Sequence, residues 1–296
     1  MNKFYKVFKD PSIIWLKIRK YSFTLFANKY FVAANHNRSD SENGLYLSAV
    51  IKATSNYAAF SNFKSNPLYK DILEHVTYDQ GIRYIFLIQR DSPQLLKQLD
   101  FFKKNDLLGA PECFEYPEIG LISPTTLRYI KVASDLLKYF GQSIGQSVVE
   151  IGVGYGGQAL ILDQVFDIQK YELLDLPPVL ELASKYLESH ILKSSYVTST
   201  LNQKAGDQNY DAVISNYAFS ELPESLQLMY IKKIILKSKR GYLTMNSGLG
   251  KSPRSNNKLT LAQLQNLLPN IEIIEEDPLT DIENYIIIWG HNDVKV

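Results

Sequence analysis

Hydrophobic positions follow two different spacings in the second half of the chain. Short apolar runs alternate there with segments whose apolar residues recur every three or four positions. The runs predict buried strands, and the segments between them predict helices. The predicted strands cover residues 147–151, 170–174, 196–199, 212–215, 241–245, 271–275 and 285–289. The predicted helices between them cover residues 159–165, 179–190, 223–236 and 260–267, and a further helix at 125–140 comes before the first strand.

This alternation predicts an α/β fold. Strands that alternate with helices favour a parallel sheet covered on both faces. The last two predicted strands are separated only by Asp277-Pro278 and a short loop. We therefore expect seven strands, the last of them antiparallel and paired in a terminal hairpin.

The first part of the chain is predicted to be mostly helical. Helices are expected to start at Pro11 and Asn66 and to cover residues 45–63 and 93–104. A connector rich in glycine and proline follows between positions 109 and 120. Such punctuation is typical of a domain boundary. We place a helical region at 1–118 and a sheet domain at 119–296.

Composition narrows the function classes. The net charge is +1, which argues against a nucleic-acid partner. Cys113 is the single cysteine, so an internal disulfide and a cysteine-rich metal site are both excluded. No apolar run has the length of a membrane helix, and the N-terminus lacks the pattern of a secretory leader. A cytoplasmic protein is expected.

Residues 1–30 are unusually basic and aromatic. They contain seven lysines and arginines, one acid and eight aromatic residues. Such a segment can lie on an anionic membrane surface as a peripheral contact. Alternatively, its aromatic rings pack on the domain while the lysines stay in water, which the lack of one clean apolar stripe favours.

A glycine-rich turn follows the first strand of the sheet domain. Residues 148–157 lead from an apolar strand through Glu150, Gly152 and Gly154 into a helix. Glycines let the backbone turn tightly and approach a ligand closely. Such a turn lies at the carboxyl edge of a parallel sheet, where ligands bind. Asp175 ends the next strand, where a carboxylate can accept both hydroxyls of a ribose.

The same glycines also satisfy the dinucleotide pattern G-x-G-x-x-G through Gly152, Gly154 and Gly157. Three features argue against a nicotinamide enzyme. Glu150 stands where such folds continue the apolar strand, only one half-sheet follows the turn, and the chain ends in a hairpin. A glycine turn without any ligand is the third interpretation.

The stretch from Glu150 to Gly156, followed by Asp175-Leu176-Pro177, resembles class I S-adenosylmethionine-dependent methyltransferases, and O-methyltransferases in particular. Further segments resemble the putative sugar O-methyltransferase family of bacterial surface-polysaccharide gene clusters. These segments are residues 66–69, 74–76, 123–129 and 215–221. The resemblance implies a Rossmann-like class I methyltransferase sheet, S-adenosylmethionine as cofactor and methylation of a sugar hydroxyl in polysaccharide biosynthesis.

The resemblance also implies a cofactor site. Glu150, Gly152 and Gly154 would hold the methionine part, and Asp175 the ribose. The expected cofactor-binding set is completed by Tyr155, Gly156, Leu176 and Asn216. Many relatives place an acid after the third strand to meet the adenine, whereas this chain has none at positions 199–202.

Methyl transfer to a hydroxyl needs a group that removes its proton. Glu221 is a candidate base or metal ligand, although a carboxylate near a helix start is an equally good interpretation. His75 is the second candidate base. Tyr217 is expected to lie at the reacting centre and to contact the acceptor. Arg128 either binds the acceptor or pairs with an acid, the latter being slightly favoured. The sequence leaves the metal requirement unknown.

Two other functions stay open. Amino methyltransferases acting on nucleobases often carry Asn/Asp-Pro-Pro-aromatic after the fourth strand, whereas this chain has Ser215-Asn216-Tyr217-Ala218. An N-methyltransferase acting on a small molecule is therefore the nearest alternative. The other is a non-catalytic scaffold that keeps the fold. A sugar acceptor would be free, nucleotide-linked or lipid-linked.

Overall fold

The structure is a computed structural model that describes residues 44–204, 208–249, 258–268 and 270–291. They all belong to one compact unit, Ser39–Val296. The helix expected at Pro11 and the peripheral membrane contact of residues 1–30 lie outside the described residues.

Helices dominate the described part of the N-terminal region, with one short hairpin at its end. The helices are α1 (Gly44–Ser55), α2 (Tyr57–Ser61), α3 (Pro67–Leu73), α4 (Tyr78–Asp91) and α5 (Leu99–Phe102), and the hairpin strands are β1 (Phe114–Tyr116) and β2 (Gly120–Ile122). Stretches of 3-10 helix, Pro93–Gln98 and Lys103–Asp106, lie on either side of α5. The region is mostly helical, as predicted.

Three details differ from the sequence prediction. The helix expected over 45–63 is divided at Asn56, because the side chain of Asn56 accepts a hydrogen bond from the Ala59 amide at 2.9 Å and caps a new helix. Helix α4 was not predicted, although Thr77 and Gln80 form a capping box at its start. The segment expected to be helical over 93–104 is largely 3-10 helix.

The sheet part of this unit begins with α6 (Pro124–Phe140) and contains seven strands. In chain order, its remaining elements are β3 (Ser147–Ile151), α7 (Gly157–Val165), β4 (Lys170–Leu174), α8 (Pro177–Leu187), β5 (Ser195–Ser199), β6 (Tyr210–Asn216), α9 (Ala218–Glu221), α10 (Glu224–Lys233), β7 (Ser238–Met245), α11 (Leu261–Leu267), β8 (Glu272–Glu275) and β9 (Tyr285–Trp289). Every predicted strand is present.

The strand order is β5-β4-β3-β6-β7-β9-β8. Strands β3 to β7 pair in parallel, whereas β9 runs antiparallel between β7 and β8. This is the order of the class I methyltransferase sheet, so the predicted fold class is confirmed.

Both faces of the sheet are buried. Neighbouring residues Val148 and Val149 of β3 are fully buried but belong to different hydrophobic clusters. Successive side chains on a strand point to opposite faces, so these are the two sides of the sheet. The cluster around Val148 also contains Tyr46, Phe63 and Tyr69 of the N-terminal helices. These helices therefore share a core with one face of the sheet.

Candidate functional site

A cavity of about 280 Å³ lies at the carboxyl edge of the sheet. The strand order reverses direction between β3 and β6, and ligands bind at such a switch point in open α/β sheets. Residues after four strands and from the α3–α4 region meet in the cavity wall. They include Gly152, Asp175, Asn216, Asn246, Leu73 and His75.

The glycine turn forms one wall of the cavity. Gly152 has a φ of +76°, and its amide donates to the Leu174 carbonyl at 2.8 Å. A Cβ atom at Gly152 would lie 2.0 Å from that of Ala218. Gly154 has a φ of +54°, and its Cβ would lie 2.9 Å from Leu73. Both positions therefore exclude a side chain sterically and by backbone conformation.

Asp175 faces the cavity directly after β4. Its carboxylate accepts hydrogen bonds from the Leu176 amide at 2.7 Å and the Gly154 amide at 3.3 Å. Burial nevertheless raises the pKa of Asp175 to about 6, because the amides offset the loss of water only in part. The group is a carboxylate at neutral pH with oxygen atoms that face the cavity.

Glu150 lies deeper in the same wall and is 2% exposed. Its Oε2 accepts a hydrogen bond from the Tyr171 hydroxyl at 2.8 Å. Burial raises the pKa of Glu150 to about 8, and the negative charge of Asp175 adds to the rise. At neutral pH the side chain is therefore mostly protonated, and a cation placed beside it would favour its ionised form.

Two polar side chains in the cavity wall have buried atoms without a hydrogen-bond partner in the described part of the chain. Asn216 donates to Gln158 at 3.2 Å, but its Oδ1 has no partner. Arg128 is 8% exposed and donates through Nη2 to the Leu73 carbonyl at 3.2 Å, while its Nε has no partner. Arg128 is in no ion pair with the described acids, contrary to the pairing that was slightly favoured. Its guanidinium instead lies 6.0 Å from the ring centre of Tyr217.

The two candidate bases lie at the rim of the cavity and differ in proton affinity. Glu221 ends the short helix α9, and Asn246 donates to its carboxylate at 3.3 Å. Desolvation raises the pKa of Glu221. His75 lies in the loop after α3, because α3 ends at Leu73. Desolvation and the charge of Arg128 lower the pKa of His75 to about 4. Both side chains are exposed, and their pKa values shift in opposite directions from the usual ones.

Tyr217 follows β6 with a φ of +66°, a left-handed backbone conformation that is strained for a tyrosine. Its hydroxyl donates to the buried carboxylate of Glu276. Burial raises the pKa of Tyr217 well above its usual value, so the phenol stays protonated. Its ring lines the cavity, but it does not act as a proton acceptor in this arrangement.

The structure brings most of the predicted residues together but places three elsewhere. Tyr155, Gly156 and Leu176 are not part of the cavity wall. The Tyr155 ring is fully buried behind the glycine turn, where it packs against the rings of Phe63 and Tyr186. The glycine pattern alone does not distinguish residues that face the ligand from residues that support the turn.

Several wall residues had no counterpart in the sequence analysis. They are Tyr46, Gln80, Asn246, Thr280, Asp281 and Asn284. Three of them come from the segment between β8 and β9. The predicted terminal hairpin could have identified this segment. Strand β8 runs parallel to β7, so the connection that follows β8 also starts at the carboxyl edge of the sheet.

No three histidine, cysteine or acidic side chains of the described residues are grouped as metal ligands. Nor does any helix in the described ranges have the length and apolar character needed to cross a membrane.

Comparisons with known proteins found likeness only among solved structures. No family model matches the chain, and no curated protein matches its sequence. An S-adenosylmethionine-dependent methyltransferase from Aquifex aeolicus aligns with a TM-score of 0.41 and 14% identity, over 69% of this chain and 96% of its own. The N-terminal domain of EvdMO1, solved with S-adenosylhomocysteine, aligns with a TM-score of 0.43 and 14% identity. The alignment covers 68% of this chain and 98% of that domain. An rRNA methylase from Streptococcus thermophilus aligns with a TM-score of 0.40 and 16% identity. The alignment covers 54% of this chain and 95% of the methylase.

Proposed function

We propose that this chain is an S-adenosylmethionine-dependent O-methyltransferase that methylates a sugar hydroxyl during surface-glycan biosynthesis. The observation that carries the proposal is the shared cavity of the glycine turn, Asp175 and Glu221. A nucleoside site and a carboxylate of raised pKa therefore meet at the switch point of a class I sheet.

The wall residues fit the cofactor. Asp175 presents carboxylate oxygens for the two ribose hydroxyls, and the turn at Gly152 and Gly154 keeps its surface free of side chains. Glu150, which is almost fully buried, suits the ammonium group of the methionine part, and Arg128 suits its carboxylate. When bound, S-adenosylmethionine supplies a methyl group activated by a positively charged sulfur.

Glu221 is the base of the proposed reaction. An acceptor hydroxyl becomes a better nucleophile as its proton moves to a carboxylate, and a raised pKa strengthens that carboxylate as a proton acceptor. Asn246 holds the Glu221 carboxylate at the rim. His75, with a pKa of about 4, is a weak base and contributes a neutral hydrogen-bonding group.

A polar part of the cavity wall supports a polyhydroxylated acceptor. It contains the amide, hydroxyl and carboxylate side chains of Gln80, Asn246, Thr280, Asp281 and Asn284. Such groups donate and accept hydrogen bonds with sugar hydroxyls. The sugar specificity and the glycan setting rest on this wall and on the sequence resemblance, and the proposed acceptor is a free, nucleotide-linked or lipid-linked sugar.

Calorimetric binding of S-adenosylhomocysteine tests the cofactor assignment. We expect micromolar binding to the wild type and binding at least tenfold weaker in Asp175→Ala, about 1.4 kcal/mol. Asp167→Ala is the matched control, because Asp167 is exposed and precedes β4 at the opposite edge of the sheet. Absence of binding to the wild type would overturn the methyltransferase assignment.

Transfer of a radiolabelled methyl group then tests the acceptor class. Methyl glycosides form one arm of the screen, and primary amines of similar size form the other. Transfer to glycosides supports the sugar O-methyltransferase. Transfer only to amines would replace it with an N-methyltransferase, and cofactor binding without any transfer would favour a scaffold.

A further inference from the structure

The segment between β8 and β9, residues 276–284, forms part of the cavity wall. Thr280, Asp281 and Asn284 of this segment line the same cavity as the glycine turn. Asp281 is exposed, and its Oδ1 accepts from the Ile282 amide at 2.8 Å. Its second carboxylate oxygen has no partner within the described chain, so it is free to accept a hydrogen bond from a ligand.

The segment is held in place around the buried side chain of Glu276. Glu276 is 5% exposed, and its Oε2 accepts from the amide and the hydroxyl of Thr280 at 3.0 and 2.7 Å. Its other oxygen accepts from the Tyr217 hydroxyl. No described lysine or arginine pairs with Glu276. Since an unpaired buried carboxylate is costly, these three hydrogen bonds must stabilise its charge.

Both ends of the segment are fixed to other elements. Asp277 forms two hydrogen bonds with Arg83 of α4, at 3.0 and 2.9 Å. The Asn284 side chain accepts from the Ser247 amide at 3.0 Å and donates to the Thr280 hydroxyl at 2.9 Å. A simple connection between two antiparallel strands does not need a buried acid with this many anchors. The network instead fixes one conformation of the wall.

Glu276 also links this wall to the reacting side of the cavity. Tyr217 has a strained backbone, and its hydroxyl binds Glu276. The orientation of its ring therefore depends on the same carboxylate that orients Thr280. A single buried group thus sets two surfaces that an acceptor would touch.

We propose that residues 276–284 recognise the acceptor, with Asp281 binding acceptor hydroxyls and Glu276 acting as the positioning residue. This inference rests on the proposed function and adds the specificity element of that site. Glu276 does not touch the acceptor, because it lies behind Thr280 and Tyr217. Its loss should weaken acceptor recognition while the glycine turn still binds the cofactor.

Full-length Glu276→Gln, Glu276→Asp and Asp281→Asn test the inference. The assay measures methyl transfer at saturating S-adenosylmethionine to methyl glucoside, galactoside, mannoside and rhamnoside, with kinetics on the best acceptor. In Glu276→Gln the acceptor KM should rise at least tenfold, with kcat within threefold and the Kd of S-adenosylhomocysteine within twofold of wild type. The KM of Glu276→Asp should lie between the values of the wild type and Glu276→Gln. Asp281→Asn should raise the acceptor KM at least threefold above the wild type.

Glu275→Gln is the matched control, because Glu275 is an exposed carboxylate of β8 that precedes the segment and does not line the cavity. Its acceptor KM should stay within twofold of wild type. A wild-type KM in Glu276→Gln, or an equal rise in the control, overturns the inference. Parallel weakening of S-adenosylhomocysteine binding also overturns it, since this indicates general loss of structure. If the wild type binds S-adenosylhomocysteine but methylates no glycoside, both the sugar acceptor and this inference fail. Absence of that binding refutes the cofactor assignment itself.

Discussion

The Asp175 carboxylate accepts a hydrogen bond of 3.3 Å from the backbone amide of Gly154. This contact joins the end of β4 to the turn after β3, although 21 positions separate the two residues. It brings the carboxylate of Asp175, a charged hydrogen-bond acceptor, and the glycine turn to the same wall of the cavity. A ribose lying against the turn therefore meets Asp175 directly.

The first prediction concerns the pH dependence of nucleoside binding. The pKa of Asp175 is about 6, so the carboxylate is charged above that pH and protonated below it. Only the charged form accepts hydrogen bonds from both ribose hydroxyls, so affinity should fall as the pH drops through 6. For 5′-methylthioadenosine, which lacks the amino-acid part, we expect roughly tenfold weaker binding at pH 5 than at pH 7. Calorimetry should show this slope in the wild type, and an equal slope in Asp175→Asn would contradict it.

The second prediction is proton release on binding of S-adenosylhomocysteine. Glu150 has a pKa of about 8, so most molecules carry a proton there at pH 7.5. An ammonium group beside Glu150 lowers its pKa, so binding should release up to roughly 0.8 proton at this pH. Titrations in two buffers of different ionisation enthalpy measure this number. Glu150→Gln and the ligand 5′-methylthioadenosine should each reduce it to near zero, and an unchanged value in both would refute the role of Glu150.

The sheet could be predicted from the sequence because its signals are local. Each strand is a short apolar run between turn residues, and Val148 and Val149 are both buried because the sheet is covered on two faces. Helix α4 was missed although its buried residues recur every three or four positions and the capping box of Thr77 and Gln80 marks its start. Local patterns of this kind do not show which distant helix packs over the carboxyl edge.

The cavity wall could likewise be predicted in part, because Glu150, Gly152 and Asp175 stand at strand ends and all line the cavity. Tyr155 was assigned to the same wall by its position in the glycine stretch, yet its side chain packs into the aromatic core behind it. The part of the wall formed by residues 276–284 depends on contacts between distant parts of the chain. Glu276 and Tyr217 lie 59 positions apart, and no spacing rule connects them.

The third prediction separates the two candidate bases. Desolvation raises the pKa of Glu221, whereas His75 has a pKa of about 4 and accepts a proton weakly. Glu221→Gln should lower kcat at saturating S-adenosylmethionine by about 100-fold or more, and His75→Gln by less than tenfold. The acid limb of the kcat profile should lie above the usual titration range of a glutamate, because the pKa of Glu221 is raised, and it should disappear in Glu221→Gln. A larger kcat loss in His75→Gln would assign the proton transfer to His75 instead.

The fourth prediction concerns Arg128, a buried cation with no ion pair among the described acids. It donates to the carbonyl of Leu73, whose side chain packs beside Gly154, so it lies next to the turn that would hold the methionine part. Its remaining donors should bind the carboxylate of that amino acid, because burial strengthens such a contact. Arg128→Gln should therefore weaken S-adenosylhomocysteine binding at least tenfold and leave 5′-methylthioadenosine binding within twofold.

The two ligands differ in the amino-acid part, so their comparison separates a lost contact from a disturbed fold. Arg90→Gln is the control, since Arg90 is exposed and pairs with its neighbour Asp91. Equal weakening of both ligands in Arg128→Gln would make Arg128 a structural residue of the cavity wall. Unchanged binding of both ligands, together with a raised acceptor KM, would instead assign its charge to an anionic group on the acceptor.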